Sequence, residues 1–301
     1  MPHGEQPTVV GLGELLWDCF SDSRRPGGAP ANVAYQAGQL GCRGVICSRV
    51  GIDAAGDEIV QFLDQHGLQT EFVQRDPVRP TGKVTVDATD SGSPKYTIHE
   101  NVAWDALAFD VRTEQLMQVA HAVCFGTLAQ RCETSRNSIQ RCLSAVSADC
   151  LVVYDVNLRQ DWFEKSWIEN SLQLADVVKL NHEEAEALAG QLSMGEKQFA
   201  RQALDRYGLE LVCITRAEQG CFLISRDETI DVGGIDVEVA DTVGAGDAFT
   251  AALIAARLEN WPLSTTARFA NEIGALVATR AGAMPELQVE FANLVHKCRS
   301  A

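Results

Sequence analysis

Short apolar runs alternate along the chain with longer stretches whose apolar positions recur every three or four residues. The first pattern, at residues 9–12, 45–48, 122–125, 151–154, 177–180 and 211–215, predicts buried strands. The second, at residues 31–40, 55–66, 135–146, 167–175, 183–188 and 198–207, predicts helices, two of them closed by Gly41 and Gly67. Such alternation predicts an α/β fold with a largely parallel central sheet and helices on both faces.

The rhythm breaks between residues 70 and 105. Residues 83–87 and 96–100 alternate polar and apolar with period two and are joined through the turn-rich segment 89–94, which predicts a hairpin with one apolar face. An antiparallel flap inserted into an α/β domain covers a ligand, pairs with a second copy as a homodimer, or extends the main sheet. No repeat, low-complexity tract or long linker divides the chain, so residues 1–301 are expected to form one domain.

Charge narrows the choice of partners. The chain has 25 Lys and Arg against 41 Asp and Glu, a net charge of −16 over 301 residues, which repels phosphate backbones and anionic lipid. Nucleic acid and membrane surfaces are therefore not expected partners, and no apolar run approaches the ~18 residues of a membrane helix. The ten cysteines contain no C-x-x-C pair, against zinc or thioredoxin-like chemistry. Several lie in apolar runs, where a free thiol behaves as a small hydrophobe, and this fits a reducing compartment. Residues 1–7 lack a basic region followed by an apolar stretch, so a cytoplasmic location is expected.

The most specific chemistry is Asp241-Thr242-Val243-Gly244-Ala245-Gly246-Asp247, after a predicted strand at 236–240 and before the apolar helical run 248–256. Free N–H groups and the positive dipole end of a helix N-terminus form an anion site, and glycines let a phosphate approach the backbone. An aspartate there is ordinarily an N-cap. Beside such a cradle, Asp247 is also placed to take a proton from a hydroxyl while Gly244, Ala245 and Gly246 stabilise charge on a phosphoryl group.

This string resembles the signature Asp-Thr-x-Gly-Ala-Gly-Asp of the ribokinase-like, or phosphofructokinase B, carbohydrate kinases. The resemblance implies a three-layer sandwich with a β lid drawn mainly from 70–105 plus 13–25. Asp247 would be the general base, and the amides of 244–246 the anion hole. Gly27-Gly28-Ala29-Pro30-Ala31-Asn32 resembles the glycine pair and asparagine of the fructokinase-like branch; with Asp18 it implies a sugar site of Asp18, Gly27, Gly28 and Asn32. Asp155-Val156-Asn157-Leu158-Arg159 resembles a further fructokinase-like stretch, with Arg159 reaching sugar or phosphate.

On the nucleotide side the resemblance implies ATP at Lys179, Asn181, Thr215, Gly220 and Asn271, and magnesium held through water by Asn181 and Glu184. Without it, Asn181 before two glutamates reads as a helix cap. Ala217 departs from the family's glycine in Thr215-Arg216-Ala217-Glu218-Gln219-Gly220. Asp241, the Val243 carbonyl and residues 281–283 resemble part of a monovalent-cation loop that would hold potassium, with Glu286 where relatives carry a small polar residue.

A dinucleotide-binding reading of Gly11-Leu12-Gly13 fails because Leu16 stands at the third glycine, and the Gly-x-x-x-x-Gly-Lys of a Walker loop is absent. The sequence thus predicts a kinase moving the γ-phosphoryl group of MgATP to a primary hydroxyl of a free sugar, fructose first. Ribose, a nucleoside or 2-keto-3-deoxygluconate are alternative acceptors. A non-catalytic sugar-binding relative is the alternative from another class.

Overall fold

The computed structural model describes residues 6–87, 95–190 and 195–300. In chain order its strands are β1 (Thr8–Leu12), β2 (Leu16–Cys19), β3 (Arg24–Gly27), β4 (Arg43–Gly51), β5 (Val73–Asp76), β6 (Gly82–Asp87), β7 (Lys95–Ile98), β8 (Ala122–Phe125), β9 (Leu151–Asp155), β10 (Val177–Asn181), β11 (Leu211–Thr215), β12 (Cys221–Ser225) and β13 (Thr229–Val232). The helices are α1 (Ala29–Gln39), α2 (Ala54–Gln65), α3 (Val111–Val119), α4 (Glu133–Ser144), α5 (Lys165–Leu174), α6 (His182–Gly190), α7 (Glu196–Tyr207), α8 (Ala245–Leu258), α9 (Leu263–Ala278) and α10 (Gln288–Arg299).

A nine-stranded sheet runs in the order β13-β12-β11-β10-β9-β8-β1-β4-β5. It is parallel from β11 to β5, with β12 and β13 added antiparallel at one edge. Side chains of α3 to α7 bury against one face, while α1, α8, α9 and Phe291 of α10 bury against the other. The α/β expectation holds because the parallel strands are near-continuous apolar runs that need cover on both faces. The sheet grows in opposite directions from β1, through β4 and through β8, the switch point at whose carboxyl strand ends open α/β sheets characteristically bind ligands.

A second sheet has the order β3-β2-β6-β7. The predicted hairpin is its β6–β7 pair, in antiparallel register Val84↔Ile98 and Val86↔Tyr96, with Val84, Val86 and Ile98 buried in the main core. The connecting segment 89–94 lies outside the described residues. Two strands that the sequence pattern does not single out, β2 and β3, complete this sheet, each only four residues long.

One expected strand is absent. Residues 236–240 pair with no strand; they run mostly exposed beyond β13, and the Ala240 amide bonds the Ala278 carbonyl at 2.9 Å instead. Alternating polar and apolar residues describe extended backbone equally well whether or not a ladder partner is in reach. All ten cysteines are free, and seven are buried, consistent with small hydrophobes. Among the described residues no helix is long and apolar enough to cross a membrane.

Candidate active site

Gly244 caps α8 with φ +81, and a Cβ there would lie 2.5 Å from the Ala283 Cα. Only glycine combines a left-handed backbone with so close an approach. The turn points the first amides of α8 outward with no carbonyl four residues back to receive them; the Ala245 amide leans weakly on the Thr242 carbonyl at 3.3 Å. Asp247 lies in this first turn, half-buried, and accepts a 2.7 Å hydrogen bond at Oδ2 from Asn32 Nδ2. The two sequence motifs, 215 residues apart, thus meet in one contact.

Asn32 is carried there by α1, whose cap Gly28 has φ +113 and packs against the Glu14 carbonyl, which a Cβ would approach to 2.3 Å. The Asn32 Oδ1 is buried without a partner. Gly27 leaves room for Asp18: a Cβ at Gly27 would lie 2.4 Å from Asp18 Oδ2. The residues expected at the sugar and at the anion hole are therefore gathered at the strand ends and the two helix N-termini. Arg159 is exposed, on a loop where Asn157 and Gln160 have φ of 43 and 50, and its charge faces Asp18 and Asp247.

The carboxyls of this corner are held above their usual range. Burial pushes Asp247 up to about 6, helped by Asp155 and opposed by Asn32, Lys179 and Arg159. Burial also pushes Asp18 to about 6, opposed by Arg159 and Arg25 and helped by Asp247. Glu14, 2% exposed, rises to about 7 through burial, and its Oε2 has no partner. Glu14 was not foreseen as a site residue, yet a lone carboxylate inside the apolar run Val9-Val10-Gly11-Leu12-Gly13-Glu14-Leu15-Leu16 is a signal in itself, because an unpaired buried charge is costly and seldom idle.

Lys179 lies beneath the cradle and not on its open side. Its Nζ donates to both Asp155 oxygens at 3.1 and 3.2 Å, is buried, and would lie 3.2 Å from a Cβ on Gly246. Thr250 of α8 donates to Asp155 at 2.8 Å, so the ion pair also anchors the helix behind the anion site. Burial disfavours the Lys179 charge, but Asp155, Glu184 and Asp247 outweigh it and keep the ammonium protonated. Lys179, expected on the ATP side, is held in this buried ion pair, and a lysine paired inside the sheet has little free stem to extend.

Asn181 and Glu184 hold each other: the Glu184 amide donates to Asn181 Oδ1 at 2.8 Å, and the Asn181 amide to Glu184 Oε2 at 2.9 Å. This is a capping box at the start of α6. Glu184 Oε1 also accepts the Leu158 amide at 2.8 Å, tying the cap to the Arg159 loop. Thr215 pairs in register with Asn181, so both end neighbouring strands. Ala217 has φ 49, keeping the left-handed conformation although the family's glycine is missing. Gly220, at φ +88, lies against β13, where a Cβ would meet the Val232 carbonyl at 2.1 Å. Asn271 donates to the Gly233 carbonyl at 3.0 Å and closes this end.

The expected cation loop differs from its sequence reading. Asp241 Oδ1 accepts the Val243 amide at 3.0 Å, and Oδ2 accepts the Gly282 amide at 3.0 Å and Arg25 Nη1 at 3.2 Å. The Ala283 carbonyl accepts Gln36 Nε2 at 2.8 Å. Glu286 points away, toward His66, with its side chain 84% exposed. Among the described residues no group of three or more His, Cys, Asp or Glu gathers as a metal cage.

Residues 7–289 match the pfkB family of carbohydrate kinases. A protein of Pyrococcus horikoshii, named a sugar kinase with no acceptor specified, is 31% identical over 294 residues, covering 91% of each chain. The fructokinase of Xylella fastidiosa with bound ATP superposes with a TM-score of 0.86 at 26% identity, over 98% of this chain and 99% of that one. A double mutant of fructokinase from Vibrio cholerae O395, in a form with fructose, ADP and potassium ion bound, gives 0.81 at 25% identity, over 96% and 98%.

Proposed function

The chain belongs to the pfkB family of carbohydrate kinases and is a sugar kinase, and we propose that it moves the γ-phosphoryl group of ATP to a primary hydroxyl of free fructose. The observation that carries this reading is the Asn32–Asp247 hydrogen bond at the N-terminus of α8. It supports the reading because it joins the side chain proposed to bind sugar to the carboxylate proposed as base, beside the free amides of α8.

Asn32 takes one Asp247 oxygen and leaves the other for the acceptor hydroxyl. Raised to about 6, Asp247 is ionised at neutral pH yet basic enough to take the proton as the oxygen attacks. The unpaired amides of the first turn of α8 and its dipole then meet the charge that develops on the transferring group. Asp18 and the unpartnered Asn32 Oδ1 receive sugar hydroxyls, and Gly27 and Gly28 let the ring lie against the backbone. Arg159 faces the same carboxylates and is free to turn toward a sugar or phosphate oxygen. The β2-β3-β6-β7 sheet acts as the lid that keeps water, a competing acceptor, away.

The donor set fits a hydrated magnesium ion. Asp155, Glu184 and Asp247 share one buried cation, Lys179, so negative charge is in excess there. Each Glu184 oxygen accepts a single backbone amide and keeps a lone pair for a water ligand. Asn181 and Glu184 would hold the ion through water, and its chemistry when bound is to neutralise phosphate charge.

The fructose acceptor is supported by the wording of residues 27–32 and by the fructokinases among the structural neighbours. Asp247→Asn is expected to lower kcat by roughly 10²–10⁴ with the KM for sugar nearly unchanged, read by coupled ADP release. Near-normal turnover would remove Asp247 from the base role. In a panel of free sugars fructose should give the highest kcat/KM, and a preference for ribose or adenosine would reassign the acceptor while leaving the kinase reading intact.

A further inference from the structure

We propose that Glu14 is a positioning residue whose protonated carboxyl donates to Asn32 Oδ1 and thereby holds the Asn32 amide with its Nδ2 on Asp247. The inference rests on the reading of Asp247 as the base.

Among the described residues three buried side-chain oxygens have no hydrogen-bond partner, and two of them, Glu14 Oε2 and Asn32 Oδ1, lie in this corner. Both are acceptors in their ordinary forms, so neither satisfies the other until one carries a proton. The packing brings them to one turn of helix. A Cβ on Gly28 would lie 2.3 Å from the Glu14 carbonyl and 3.3 Å from the Leu15 Cα, so the chain at residue 14 runs directly beneath the cap of α1. The amide of Ala29, the first residue of α1, faces the Glu14 carboxyl. Asn32 follows three residues later on the same side of the helix, and helical side chains tilt toward the N-terminus, so its amide leans back over the turn where Glu14 sits.

The charges around Glu14 favour the proton. Burial pushes its carboxyl up to about 7 and Asp247 of α8 adds to this, against its own amide, Arg159 on the loop after β9 and the Ala29 amide. Cys124 of β8, which also faces Glu14, is held as a neutral thiol by burial. A neutral Glu14 is a donor. Its proton meets the otherwise unpartnered Asn32 Oδ1 and fixes which end of the amide turns to Asp247, because the two ends of a primary amide are alike in shape and differ only in donating or accepting. The second lone pair of Oδ1 stays open to a sugar hydroxyl. When Glu14 ionises, two carboxylates compete for one Nδ2, and Asp247 loses its fixed orientation. Glu14 itself touches no reacting atom.

The test uses Glu14→Gln, which keeps a donor at every pH, and Glu14→Met, which has none. With fructose and MgATP, the kcat/KM of wild type divided by that of Glu14→Gln is expected to fall about tenfold between about pH 6 and pH 8.5, a ratio that cancels the titration of Asp247 common to both. Glu14→Met should lie about tenfold below Glu14→Gln at both ends of the range, the loss of one hydrogen bond. A second measurement needs no substrate: a double-mutant cycle of Glu14→Met and Asn32→Ala in denaturant unfolding at about pH 6 should show the two side chains coupled by about tenfold in the unfolding equilibrium.

A wild-type to Glu14→Gln ratio that stays level with pH would overturn the proposal, and is the result expected of a buried water joining the two oxygens. So would a Glu14→Met enzyme as active as Glu14→Gln, or additive effects in the cycle. The cycle contains neither sugar nor nucleotide, so it decides the contact even where fructose fails as an acceptor, and a failure of the kinase reading is distinguishable from a failure of this one.

Discussion

On the proposed nucleotide side of the site Asn181 and Glu184 hold each other across three residues, whereas on the proposed transfer side Asn32 reaches Asp247 across 215 residues and Arg25 reaches Asp241 across 216. The first arrangement forms with one turn of helix. The second exists only when α1 and the small sheet have docked against α8. The electrostatics follow the same division: Glu14, Asp18 and Asp247 crowd the transfer side with carboxyls held near 6 or 7. That crowding is a cost to the fold, and perturbed carboxyls of this kind cluster at functional sites.

The contrast breaks most visibly at Lys179, which starts from the nucleotide-side strand but holds Asp155 and Thr250 beneath the anion hole. Lys179→Met leaves Asp155 buried without its cation, and a broken buried pair costs about 3–5 kcal/mol. Denaturant unfolding should show that loss, with kcat falling because α8 loses its anchor. A variant as stable as wild type would mean that the two sides are independent.

Glu14→Gln sharpens the comparison from the other direction. A carboxyl whose folded pKa lies above its unfolded value binds protons more tightly in the folded state, so its contribution to stability falls as pH rises through that interval. For Glu14 the interval runs from 4.5 to about 7. The glutamine variant should therefore be more stable than wild type by about 3 kcal/mol at pH 8 and little changed at about pH 4. Equal gains at both pH values would show that packing, not charge, is responsible.

The smallest effect is expected on the nucleotide side. Ala217 holds a left-handed conformation that costs a residue with a Cβ roughly 1–2 kcal/mol, so Ala217→Gly should gain up to about 1 kcal/mol after the added entropy of glycine is subtracted. Its thermal midpoint should rise slightly and its KM for ATP should fall or stay level. A loss of stability would mean that the Ala217 methyl packs to more effect than its backbone strains.

The amino-acid sequence by itself determined the alternating frame and the choice of the candidate anion cradle. Parallel strands must be apolar runs, helices must show a stripe, and a glycine between small residues before an apolar helix admits few other uses. Asp247, Gly244, Asn32 and Asp18 were legible because each belongs to a short string whose chemistry is local. Residues 236–240 were misread as a strand because a ladder needs a partner that the segment itself does not contain. Nothing near Lys179 in the chain reveals its ion pair with Asp155, which is 24 residues away. Nothing in the sequence singles out Arg25, on a short strand, as the partner of Asp241. Only the tertiary structure, by bringing β3 beside the segment before α8, decided which cation Asp241 meets, because pairing of charges depends on separation in space and not along the chain.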